Sequence, residues 1–255
     1  MNGYCFYTAG SGKAMVHAGR VLMENGIRVS SIPDDSVTHL LLEAPAFDVH
    51  GQLRCGEDLG ELLEKLPDTV TVMGGNLNHP LLEGMQTVDL LQDEVYLAQN
   101  AAITAHCAAL LGANRLIVTL HECPVLVIGW GRIGKCLAKL LRQMGACVTV
   151  AARKETDRAM LRALGYTAED PHNLYCGLRK YRLIYNTAPA PILPQSRMCY
   201  CRGDCVKIDL ASRKGIEGTD VVWARGLPGK DAPESSGELI ARTVLRLMDP
   251  REGSE

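Results

Sequence analysis

Residues 125–150 leave this chain little freedom. A continuous apolar run, Val125-Leu126-Val127-Ile128, passes straight into Gly129-Trp130-Gly131-Arg132-Ile133-Gly134. Such an uninterrupted run suits a strand buried on both faces. Leu137, Ala138, Leu141 and Met144 then recur at helical spacing up to Gly145, and a second apolar strand runs from Cys147 to Val150. The order is strand, G-x-G-x-x-G, helix, strand, within about 30 residues. Gly129 permits the tight turn, Gly131 lets the backbone approach a pyrophosphate, and Gly134 lets the helix pack closely on the strand. The N–H groups at the helix start then face the phosphate. The expectation is a dinucleotide-binding βαβ unit, with Trp130, Arg132 and Ile133 sharing the turn with the glycines.

The end of the second strand selects between dinucleotides. In an NAD site a carboxylate there accepts from the ribose 2′-hydroxyl. This chain has Ala151-Ala152-Arg153-Lys154 instead. Small residues leave room, and a guanidinium pairs with a 2′-phosphate. NADP is the expected cofactor, held at Arg153 and Lys154. NAD is the alternative if those cations are only the solvated first turn of the next helix.

The remaining pattern alternates strands and helices, which implies an α/β fold with parallel sheets. Tyr4–Thr8, Ile27–Ile32, Thr38–Leu42 and Thr69–Met73 read as strands, and Lys13–Asn25 and Glu57–Leu66 as helices. Asp93–Ala113 is the longest helical pattern and is expected to join two domains. Residues 1–95 are predicted to form a smaller flavodoxin-like α/β domain on the substrate side. Residues 96–255 are predicted to form a Rossmann dinucleotide-binding domain together with the linking helix. Arg182–Tyr185, Val206–Leu210 and Val221–Trp223 read as its later strands, and Gly237–Met248 as a last helix with Leu239, Ile240, Val244 and Leu247 on its apolar face. Ligands bind off the carboxyl ends of strands in such sheets. Asn186, Thr187, Ala188 and Pro189 are therefore expected beside the nicotinamide half of the cofactor, and Asn186, Ser212 and Arg213 are the polar catalytic candidates.

Charge narrows the partners. Lys+Arg is 27 and Asp+Glu is 29, so the net charge of -2 gives no general footprint for nucleic acid or an anionic membrane. No apolar run reaches the ~18 residues of a membrane span. Met1-Asn2-Gly3-Tyr4-Cys5 shows no secretory pattern, so the ten cysteines are expected to be reduced thiols in the cytoplasm.

Several motifs compete and lose. Cys199-Tyr200-Cys201 with Cys205 has only Cys176 nearby and no second knuckle, so no metal site is expected. Gly10-Ser11-Gly12-Lys13 ends like a P-loop, but Tyr7 stands where the first glycine is needed. Ser11 and Lys13 remain candidates for meeting a substrate anion. Cys107 and Cys136 lie on predicted helices without a visible His–Asp arrangement, and His50, His79 and His121 read as solvated or structural.

The turn at 129–134, Ala152-Arg153, Asn186-Thr187-Ala188-Pro189, Ile208-Asp209-Leu210-Ala211-Ser212-Arg213 and Gly226-Leu227-Pro228-Gly229-Lys230-Asp231 together closely resemble the dipicolinate synthase A-subunit family. The resemblance covers about residues 93–248. More distantly, the layout is similar to D-2-hydroxyacid dehydrogenases and S-adenosylhomocysteine hydrolase. The family implies NAD(P)-dependent oxidation of dihydrodipicolinate, or its hydroxylated precursor, to dipicolinate in spore formers. It also implies a small dicarboxylate substrate and a partner B subunit. A homo-oligomer is expected as well. The chain departs from the family on the N-terminal side, where it is short and its opening differs. On the long helix, His106 and Cys107 stand where the family carries Glu and Gly. His106 thereby becomes an acid/base candidate. Two rival readings remain: a dehydrogenase of another small carboxylate, such as a 2-hydroxy acid, and a non-catalytic NADP-binding regulatory subunit.

Overall fold

The computed structural model describes residues 3–249, apart from the side chains of Tyr175 and Cys176. The chain falls into two compact units, one running to Asn100 and resuming at Pro228, the other Ala101–Leu227. The first unit contains β1 (Cys5–Thr8), α1 (Lys13–Glu24), β2 (Arg28–Ser30), β3 (His39–Leu41), α2 (Leu59–Leu63), β4 (Thr71–Gly74) and β5 (Thr87–Asp89). All five strands pair in parallel in the order β2-β1-β3-β4-β5. That is the flavodoxin-like order expected from the βα alternation. β5 has no counterpart among the expected strands. The helix expected over 57–66 is shorter because Asp58 caps it, accepting from the Glu61 N–H at 2.9 Å.

α3 (Glu94–Ala113) is the long helix, and the boundary between the units falls within it. The second unit continues through β6 (Pro124–Ile128), α4 (Arg132–Gln143), β7 (Cys147–Ala151), α5 (Glu155–Ala163), β8 (Thr167–Glu169), β9 (Leu183–Asn186), β10 (Val206–Asp209) and β11 (Val221–Trp223). Its parallel sheet runs β11-β10-β9-β6-β7-β8. Strand order reverses at β6, and the crevice outside its carboxyl end is where a ligand binds in such a sheet. Val125, Leu126, Val127 and Ile128 are buried, as a strand covered on both faces requires.

The chain ends with α6 (Leu227–Asp231) and α7 (Pro233–Met248). Residues 96–255 therefore do not form one domain, because α7 packs on α1 in the first unit. Gly237 makes this possible: a Cβ there would run into the Ala14 carbonyl oxygen. Ile240, Ala241 and Val244 are buried, and Arg246 donates to Asp93 at 2.7 Å. An apolar helix face shows that it will be covered, not by which element.

Candidate functional site

The β6–α4 turn assigns its three glycines different work. Gly129 has φ +107°, and a Cβ there would collide with Thr187 Oγ1. Thr187 ties β9 to β6, its N–H and hydroxyl both donating to the Ile128 carbonyl, at 2.8 and 3.0 Å. A Cβ on Gly134 would strike the Gly129 carbonyl oxygen, so the start of α4 lies hard against the turn. Gly131 is the opposite: a Cβ there would meet nothing within 4 Å. It is the N-cap of α4, so the backbone N–H groups at the helix start face that open space.

A cavity of about 590 Å³ begins at this turn. Of the cofactor residues expected from sequence, Gly129, Trp130, Gly131, Arg153, Lys154, Thr187, Ala188 and Pro189 line it. Gly134 supports it from behind. Arg132 and Ile133 begin α4 without lining the cavity. Sequence reasoning missed Asp157, Pro171 and His172, which also line it. Pro171 and His172 open a 3-10 segment, Pro171–Lys180, after an Asp170 cap. The only sign of it in the sequence is that Asp-Pro pair. A turn with two closely packed glycines, an open Gly131 and two lining cations, Arg153 and Lys154, fits a dinucleotide.

Asn186 needs correction as a catalytic and cofactor residue. It is fully buried. Its amide donates to the Ala188 carbonyl and to Asp209 Oδ1, both at 3.0 Å, and its carbonyl accepts from the Ala188 N–H at 3.1 Å. Its polar atoms are spent on the protein. Asp209, its register partner on β10, is equally buried and also accepts from the backbone N–H groups of Ala211, Gly215 and Ile216. Together they fix the loops that follow β9 and β10. Asn186 is thus a positioning residue.

The other expected groups do not gather at the cavity. His106 is exposed on α3 and does not line it. Ser212 and Arg213 are exposed after β10 and do not line it. Ser11 and Lys13 line a separate cavity of about 560 Å³ within the first unit, shared with His17, Arg20, Glu234 and Ser235. Cys205 is buried beside Lys207, and burial pushes its thiol up to about 12. Burial likewise raises the Cys201 thiol. The buried Lys207 ammonium binds the Cys205 carbonyl at 3.0 Å and Asp220 at 2.5 Å. The Cys176 side chain lies outside the described residues. Among the described residues no group of three His, Cys, Asp or Glu side chains is placed to hold a metal ion. Nor is any described helix long and apolar enough to cross a membrane.

No protein-family model matches the chain. Over 209 residues it is 26% identical to the dipicolinate synthase A-subunit of Bacillus subtilis (strain 168), covering 76% of this chain and 69% of that protein. The crystal structure of the dipicolinate synthase A-subunit from Bacillus halodurans has a TM-score of 0.86 at 22% identity, covering 97% of this chain and 99% of that one. D-lactate dehydrogenase from Escherichia coli has the same arrangement at a TM-score of 0.62 and 12% identity, over 99% and 98% of the two chains. This chain is thus similar in sequence to a dipicolinate synthase A-subunit and shares the fold of those proteins.

Proposed function

We propose that this protein is an NADP-dependent oxidoreductase that converts dihydrodipicolinate, or its hydroxylated precursor, to dipicolinate in the cytoplasm of a sporulating cell. The observation that carries the reading is the cavity at the β6–α4 turn. It joins an open phosphate-binding backbone at Gly131 to two cations, Arg153 and Lys154, after β7. Oxidation of the dihydropyridine removes a hydride and a proton and leaves an aromatic ring; the hydroxylated precursor must first lose water to reach that dihydropyridine. A nicotinamide dinucleotide bound at the turn supplies the hydride acceptor. The chain's own residues bind and orient. The α4 N-terminus holds the pyrophosphate, and Arg153 and Lys154 pair with the 2′-phosphate. Ser212 and Arg213, on a loop fixed by Asp209, bind substrate carboxylate. A partner B subunit and a second copy of the chain complete the assembly.

Purified protein given dihydrodipicolinate and NADP should form dipicolinate, read by its ultraviolet absorbance. A second reading, an NADP-binding regulatory subunit, draws on one observation: His106, Ser212 and Arg213 all lie off the cavity. NADP binding with no turnover, even with the B subunit present, would favour it.

A further inference from the structure

In the cavity's wall after β7 and β8, one guanidinium bridges the segments that follow the two strands. Arg158 on α5 donates to the Ala152 carbonyl at 2.7 Å and to the Arg153 carbonyl at 2.8 Å. The same group lies 2.9 Å from Asp170 Oδ2. The other Asp170 oxygen accepts from the His172 N–H at 2.9 Å. Arg158 is largely buried, its side chain 14% exposed. It therefore ties the backbone that carries Arg153 and Lys154 to the turn that carries His172.

The nearby acids are mostly consumed. Glu155 is paired with Arg158 at 2.7 Å and with Arg162 at 2.5 Å, and Asp170 is spent on Arg158 and the His172 N–H. Lining the cavity are the cations Arg153 and Lys154, the His172 imidazole and the Asp157 carboxylate. No described carboxylate is paired with Arg153 or Lys154. In this fold the end of the second strand receives the adenosine ribose. Polar groups on rigid, pre-assembled loops bind with less ordering cost.

We infer that His172 is a third residue selecting for the cofactor's 2′-phosphate, and that Arg158 is the positioning residue that holds it in the same wall as Arg153 and Lys154. The inference rests on the NADP reading above.

The test is titration calorimetry of the full chain with NADP, NAD and 2′,5′-ADP. The wild type should bind NADP at least tenfold tighter than NAD. His172→Ala should weaken NADP and 2′,5′-ADP about tenfold, the scale of one charge-assisted hydrogen bond, and leave NAD within about twofold. His172→Lys should restore most of the loss. In an Arg158→Met background, His172→Ala should add nothing further, because the two act as one unit. If Arg158→Met does not fold, the Ala and Lys variants at 172 decide alone. Wild-type protein that binds both dinucleotides equally removes the NADP reading and this inference together. Wild-type protein that prefers NADP, loses the preference in Arg153→Asp and keeps it in His172→Ala overturns the inference alone.

Discussion

In each unit the first strand leads into a glycine-rich turn and a helix, yet only one turn is built to receive a phosphate. Both helices start on a glycine without a side-chain cap, but in the second unit a Cβ on Gly131 would meet nothing within 4 Å. In the first unit the corresponding positions are filled. Gly10, at φ +90°, lies against Cys55, and its N–H donates to Glu57 Oε1 at 2.6 Å. A Cβ on Gly12 would sit 3.3 Å from Glu43 Oε1. Glu57 also accepts from the Tyr7 hydroxyl at 3.2 Å, and burial together with that carboxylate raises the Tyr7 phenol. Two carboxylates occupy the space and supply the wrong sign for a phosphate. The same backbone path thus becomes a site or a packed corner according to what stands behind its glycines.

The contrast is broken most forcefully at the glycines of the second turn. Gly134→Val should cost about 3 kcal/mol or more, since its side chain must displace the Gly129 carbonyl. Gly131→Ala should leave thermal unfolding almost unchanged, because its Cβ meets nothing. It should instead weaken dinucleotide binding about tenfold or more. Equal stability losses at the two positions would show that the turn is not open. In the first unit, Glu57→Ala should destabilise by about 1–3 kcal/mol by stranding the Gly10 N–H. It should create no dinucleotide binding there, and a second binding event in calorimetry would refute the contrast.

Arg153→Asp tests cofactor choice. NADP affinity should fall about 10- to 100-fold, while NAD changes little. Equal effects on both dinucleotides would sink the 2′-phosphate assignment.

These effects also mark what was legible in the sequence. The phosphate turn could be read because each glycine's task is local, set within ten residues of chain. Both sheets could be anticipated for the same reason, apart from the three-residue strands β5 and β8. Asn186 was misread because its burial is decided by Asp209, which only the parallel register of β9 and β10 brings beside it. His172 was missed because a 3-10 turn carries no periodicity, and its place depends on Arg158 reaching Asp170. The domain division failed at α7. Gly237, a glycine inside a helix, was the available signal that another backbone comes close, but it does not name α1 as that backbone.

The smallest effect tests that last point and sharpens the difference between the units, since only the first depends on a helix from the far end of the chain. Asp93, just before α3, accepts from Arg246 of α7 at 2.7 Å and from the Tyr96 N–H at 2.6 Å. Burial pushes the Asp93 carboxyl up, but those hydrogen bonds outweigh it and hold the group below its ordinary value. A carboxyl whose folded value is depressed contributes stability above the unfolded value of about 3.9, and loses it as pH falls through the folded value. Asp93→Asn should therefore cost about 1 kcal/mol at neutral pH in urea unfolding, in line with a partly exposed ion pair. The difference from wild type should shrink as pH falls below about 4. A cost that stays constant into acid would mean that Asp93 serves α3 as a neutral cap, and that apolar packing around Gly237 alone holds α7 on the first unit.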